Sequence, residues 1–237
     1  MSKQEETTAS TEALGLRDGA REAVPVVLGY LPIGFAYGVV GTAAGLPLWA
    51  VVSMSVLVYA GSAQFIAVSL ISQGASVAAL VATTFLVNVR HLLYSLALSP
   101  RLERMSRGRL AWVAAELTDE SFVMAARASA SRDTRLPFPF VAGLNGVLQV
   151  AWVVSSAVGG VLGGFVGDPL ALGLDYALIA MFIGLLMLQM RGSGGVIVAG
   201  IAGVISLGLH LLGAGLLGII LATVVAGGVG LVWAERR

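Results

Sequence analysis

No cysteine occurs in the 237 residues, which excludes disulfides, thiolate nucleophiles and cysteine metal sites and leaves the redox compartment open. Histidine is almost as scarce: His91 and His210 are the only two, which limits metal chemistry further. Charge is short as well, at 11% of residues against roughly 25% in an ordinary soluble domain. The 14 basic and 13 acidic residues nearly cancel, so nothing points to a nucleic-acid partner or a polyanionic substrate. No phosphate-binding loop of the G-x-x-x-x-G-K-[ST] type is present, which removes a nucleotide as the energy source and leaves no cofactor to expect. The tail from Met1 to Glu22 lacks the apolar stretch of a cleavable signal. It is polar and mixed in charge, and reads as a disordered start followed by an interfacial helix from about Leu14.

What the chain does have is apolar sequence, 57% of residues with 31 glycines among the whole. A membrane-crossing helix needs ~20 mostly apolar residues, and such runs recur at Ala23–Ala44, Leu48–Ile71, Val77–Leu98, Phe138–Phe165, Tyr176–Met190, Gly195–Leu212 and Leu216–Trp233. No polar block between them is long enough to fold separately. The fold expected is an all-α, polytopic integral membrane helix bundle with about six or seven transmembrane segments, forming one domain over residues 23–237 behind the tail of residues 1–22. Arg101, Arg104, Arg107 and Arg109 follow the third run and Arg127, Arg132 and Arg135 precede the fourth, so the connection over about 99–137 is assigned to the cytoplasm. Alternation from there puts the C-terminus, with Arg236 and Arg237, on the cytoplasmic side too. Whether Leu48–Ile71 crosses fully or is a re-entrant pair of half-helices broken at Gly61-Ser62 decides the side of the N-terminus. Arg17 and Arg21 favour the broken form, which places that end inside.

Three clusters stand out against the apolar background. The first is the small and polar stretch Gly61, Ser62, Ala63 and Gln64. Read plainly, it is a packing notch; read as a break, it frees backbone amides at the start of a half-helix to receive a carboxylate. The second is on the third run, where Thr84, Asn88, Arg90, His91, Tyr94 and Ser95 share one arc at ~100° per residue. Arg90 could snorkel to the interface, but beside Asn88, His91 and Tyr94 it is better explained as lining a polar interior. The third is Glu116, Asp119 and Glu120 within Ala111–Arg127, at helical spacing on one face. That stretch either lies along the cytoplasmic interface or dips in and returns. Either these carboxylates form a solvated cytoplasmic face near the basic loop, or Asp119 or Glu120 pairs with Arg90 or exchanges a proton with His91. Pro25 and Pro32 read as kinks in the first run, and Asn145 with Gln149 as interhelical hydrogen bonding.

Taken together, Tyr59-Ala-Gly-Ser-Ala-Gln-Phe65, Asn88-Val-Arg-His-Leu-Leu-Tyr94 and Leu117-Thr-Asp-Glu-Ser-Phe122 closely resemble the signature blocks of the AzlC-type branched-chain amino acid permeases, in the same order and spacing. Leu31–Gly38 and Leu174–Phe182 are similar to further family segments. The resemblance implies a bacterial inner-membrane protein that exports valine, leucine or isoleucine, not an enzyme, and one that works with a small membrane subunit of the AzlD type. Two other readings compete. An intramembrane hydrolase would use Ser62 with His91 or His210 as base, although no G-x-S-x-G elbow is present. A passive channel or a scaffold for a partner is the other.

Overall fold

The structure is a computed structural model describing residues 14–165, 192–213 and 215–235, with positions 173, 176, 179, 180, 183, 184, 186 and 187 between them. The run expected over Tyr176–Met190 lies largely outside the described residues. So do Arg236 and Arg237, which mark the end assigned to the cytoplasmic side. Among the described residues there are nine α-helices and no strand. They are α1 (Leu16–Ala43), α2 (Leu48–Leu57), α3 (Gly61–Ser72), α4 (Val77–Leu98), α5 (Arg107–Ala115), α6 (Asp119–Arg132), α7 (Phe138–Leu162), α8 (Gly192–Leu211) and α9 (Gly215–Glu235). Four stretches are long and apolar enough to cross a bilayer: Leu16–Ala43, Val77–Arg101, Phe138–Phe165 and Gly194–Leu211. The protein is an all-α membrane helix bundle.

The boundary expected at residue 22 falls inside α1, which runs unbroken from Leu16 and continues through Pro25 and Pro32. Where one domain was expected from residue 23 onward, the contacts group the chain into two units that divide between Met181 and Phe182. In the second unit α8 and α9 run antiparallel. A Cβ on Gly194 would lie 3.3 Å from Trp233 Nε1, and one on Gly230 would lie 3.4 Å from Val198 Cγ2.

The first unit is built on a close pairing of α1 with α7. A side chain on Gly19 would strike the carbonyl of Phe140, one on Gly38 the carbonyl of Ser156, and one on Gly159 the carbonyl of Phe35. Residue numbers rise together across these contacts, so the two helices are parallel. Bilayer interiors offer no hydrophobic drive between helices, and backbone approach through glycine is how such helices associate.

Two of the other stretches do not cross. The run Leu48–Ile71 is interrupted: α2 ends at Leu57, Tyr59 adopts a left-handed φ of 42°, and α3 starts at Gly61. The break therefore sits at residues 58–60, just before Gly61-Ser62 rather than at it. Tyr37 shows that the chain turns back there. Its hydroxyl donates to the Val51 carbonyl at 3.3 Å on one arm, and its ring meets Phe65 at 5.6 Å on the other. Ser55 and Gln64, on opposite arms, are joined at 3.1 Å. This hairpin enters from the C-terminal end of α1 and returns to it.

The second hairpin comes from the opposite direction. Ala111–Arg127 is not one helix, since α5 ends at Ala115 and α6 begins at Asp119. Glu116 is thus separated from Asp119 and Glu120 by a turn, and the expectation of three carboxylates on one helix face is corrected. The turn is specified by Thr118, whose Oγ1 accepts from the Ser121 amide at 3.2 Å while Ser121 Oγ accepts from the Thr118 amide at 2.9 Å, a reciprocal cap. Trp112 packs on Phe138 at 5.7 Å near the start of α7, and Arg132 reaches Glu22 near the start of α1 at 2.9 Å. Both arms therefore open toward the N-terminal ends of α1 and α7. The cytoplasmic connection expected over about 99–137, in which Ala111–Arg127 was to lie along the interface or to dip in and return, holds this hairpin.

Between the hairpins, α4 runs back antiparallel to α1. Its lipid-type face carries Val81, Phe85, Leu92 and Leu96, all 60–68% exposed, and its polar arc faces the opposite way. A spanning helix followed by a hairpin (α1, α2, α3) is thus repeated with reversed direction (α4, α5, α6).

Candidate functional site

The two hairpin tips meet at the middle of α1 and α7, and the residues around the meeting point are polar in an otherwise apolar unit. A cavity of about 10 Å³ there is lined by Tyr30, Tyr59, Ala60, Gly61, His91, Thr118, Asp119, Glu120 and Trp152. That is room for about one water.

Asp119 and Glu120 occupy the first turn of α6, where a carboxylate is favoured by the partial positive charge of the helix start. Both are buried, at 8% and 7% exposure, so each needs a partner. Asp119 has two: Arg90 Nη2 at 2.9 Å from Oδ2, and the Tyr94 hydroxyl donating to Oδ1 at 2.7 Å. Glu120 accepts from the Tyr30 hydroxyl at 2.7 Å, and Tyr30 also meets Thr118 Oγ1 at 3.0 Å. The polar arc of α4 is turned onto the α6 tip, as the pairing of Arg90 with an acidic residue required. Arg90 also donates to Ser62 Oγ, so one guanidinium bridges the start of α3 and the start of α6. Tyr94 is held by a stacked Phe122 at 4.7 Å and by His91 at 6.0 Å.

The cluster expected over residues 61–64 splits by role. Gly61 is where the Trp152 ring lies against the start of α3: a Cβ there would come within 3.0 Å of Trp152 Cη2. Gln64 instead ties the scaffold, donating to Ser55 Oγ at 3.1 Å and accepting from Trp152 Nε1 at 3.0 Å. Ala63 is fully buried and Asn88 is not at the cavity. Asn88 Oδ1 is buried without a hydrogen-bond partner among the described residues. Gln64→Leu should lower the melting temperature of the purified protein, because Trp152 Nε1 loses its acceptor and a buried orphan costs ~1–3 kcal/mol, while Ser55 keeps its bond to the Val51 carbonyl. An unchanged melt would show that water replaces the amide.

Two cavity residues carried no signal in the motifs, Tyr30 and Trp152. The available signal was position. Indole and phenol rings favour the interfacial belts of a membrane protein, whereas these two fall midway along α1 and α7 and meet edge to face at 5.2 Å.

Comparison with known proteins converges on the same part of the chain. The model of the AzlC protein family matches residues 25–166, which contain both hairpins, α4 and α7. The inner membrane protein YgaZ of Escherichia coli (strain K12) is 29% identical over 176 residues, covering 72% of this chain and 71% of that protein. The branched-chain amino acid transport protein AzlC of Bacillus subtilis (strain 168) is 29% identical over 162 residues, 68% of this chain and 62% of that protein. An uncharacterized membrane protein of Archaeoglobus fulgidus is 29% identical over 213 residues, 87% of this chain and 90% of its own length. No solved structure matches.

Proposed function

The chain belongs to the AzlC family of membrane transport proteins, and from that footing we propose that it is a secondary carrier exporting branched-chain amino acids across a bacterial inner membrane. The observation that carries the reading is the Arg90–Asp119 pair, its carboxylate buried and its guanidinium partly so, at the point where two oppositely directed hairpin tips meet. In carriers built from inverted repeats the substrate site is typically formed near mid-depth by broken helices whose free ends face the ligand, and the charged pair stands where the two broken segments of this chain meet. The inverted arrangement of α1–α3 and α4–α6 also supplies two equivalent gates, one opening to each side. His91, Asp119 and Glu120 are the candidates for proton coupling; Gly61, Ser62, Arg90 and Tyr94 are the candidates for contact with the solute. The cytoplasmic side is assigned to the arginine-rich end of α4 and α5, and a cytoplasmic C-terminus is the expectation from the alternation of apolar runs in the sequence. A small subunit of the AzlD type is the expected partner.

Efflux of labelled valine from preloaded cells producing the protein is the direct test. It should collapse with an uncoupler, and Asp119→Asn should reduce it at least 10-fold in energised cells. Efflux that survives both treatments overturns proton-coupled export. Efflux that does not saturate would favour the channel reading.

A further inference from the structure

We infer that the solute is taken as a zwitterion by exchange with the Arg90–Asp119 pair, its carboxylate replacing Asp119 on Arg90 and its ammonium replacing Arg90 on Asp119. This rests on the transport reading above and specifies what the site selects. The starting point is that the meeting place of the hairpins is full. Its cavity measures about 10 Å³, so a ligand larger than a water enters only as the tips part. The charges are also already committed. Asp119 is engaged by Arg90 and Tyr94, and Glu120 by Tyr30.

The contact that must yield when the tips separate is the one that joins them. Arg90 touches Ser62 at the start of α3 and Asp119 at the start of α6, so opening either hairpin pulls on the same guanidinium. A buried ion pair is costly to break when one partner is left without a counter-charge. An α-amino acid avoids that cost, because it brings one charged group of each sign on the same carbon. A solute bearing only a carboxylate would strand Asp119, and one bearing only an ammonium would deprive Arg90 of its carboxylate. The backbone adds a direction. The α3 start has no side-chain cap and no acidic residue in its first turn, whereas the α6 start carries Asp119 and Glu120. The solute carboxylate therefore belongs on the Arg90 and α3 side, and the ammonium on the α6 side.

The test uses ligands that differ from valine in one charge. Valinol keeps the ammonium and replaces the carboxylate by a hydroxymethyl group; 2-hydroxy-3-methylbutanoate keeps the carboxylate and replaces the ammonium by a hydroxyl. Affinities are read from ligand-induced thermal stabilisation of the purified full chain in lipid. For the wild type, valine should bind at least 10-fold more tightly than either analogue. In Asp119→Asn the gap between valine and the hydroxy acid should narrow to within about 3-fold while valinol stays weak, since the ammonium then meets no carboxylate at position 119 and a solute carboxylate still meets Arg90. Arg90→Gln should narrow the valinol gap instead. A purely structural role would weaken all three ligands in proportion, and that outcome overturns the exchange, as does a wild type that binds the three alike. If valine neither binds nor is transported, the transport reading itself fails and the exchange with it. Valine transport with no preference for the zwitterion removes only the exchange.

Discussion

Gly38→Leu should leave almost no folded protein in the membrane. Any Cβ at this position would collide with the Ser156 carbonyl and lie 2.5 Å from the Gly160 amide, and both are backbone atoms of a long helix that cannot rotate away. The parallel contact of α1 with α7 would have to widen along its whole length. Because Tyr30 and Trp152 are held by that contact, the site would open with it. The expected loss exceeds the ~1–3 kcal/mol of an ordinary overpacked core position, since no side chain is available to move. Detergent-solubilised protein should aggregate or elute in the void on size exclusion. The matching control is Gly29→Leu, where an added Cβ meets nothing within 4 Å; it should express normally. Normal behaviour of Gly38→Leu would show that the helices are not in backbone contact.

The second large effect separates holding the fold from moving the solute. Arg90→Gln should cost ~3–5 kcal/mol of stability, because it leaves the buried Asp119 carboxylate without its cation. Adding Asp119→Asn should restore most of that stability, for the pair is then replaced by two neutral amides of similar size. Transport should not return in the double variant, if the charges are what the solute exchanges with. Melting temperature and valine efflux measured on the three variants form a complete cycle. Recovery of both properties in the double variant would show that the charged pair is only a structural device, and recovery of neither would show that Arg90 and Asp119 act separately.

The parts of this site visible in the sequence were those where chemistry is costly in lipid. Arg90 and His91 within an apolar run demanded polar company, and the arc from Asn88 to Tyr94 indicated which way they faced. Asp119 or Glu120 was the expected partner for the same reason, and the choice between them was not readable. The exact turn of each hairpin was not readable. Periodicity across Ala111–Arg127 continues through Glu116, and the break depends on the Thr118 and Ser121 cap, a local exchange of two hydrogen bonds that leaves the apolar pattern unchanged. At the first hairpin, Gly61 and Ser62 looked like the break, yet the left-handed residue is Tyr59, an unfavourable choice for that backbone region that no propensity would select. Tyr30 and Trp152 stayed hidden because an aromatic side chain in an apolar run looks like packing until its neighbours are known.

The dependence of the first hairpin on α7 has a consequence for how the chain is made. Along its length α2 lies against α7: a Cβ on Gly160 would come within 2.6 Å of Leu48 Cδ1, and Gln149 reaches the Val56 carbonyl at 3.5 Å. Synthesis delivers α7 only after α3, α4, α5 and α6, so the hairpin leaves the ribosome long before its support exists. Neither arm, at 10 and 12 residues, is long enough to anchor itself across a bilayer that needs ~20. The nascent chain must therefore carry an unfinished, polar-tipped element until Phe138 onward has been inserted. Assembly of the site is then a late event, completed from the C-terminal side of the first unit.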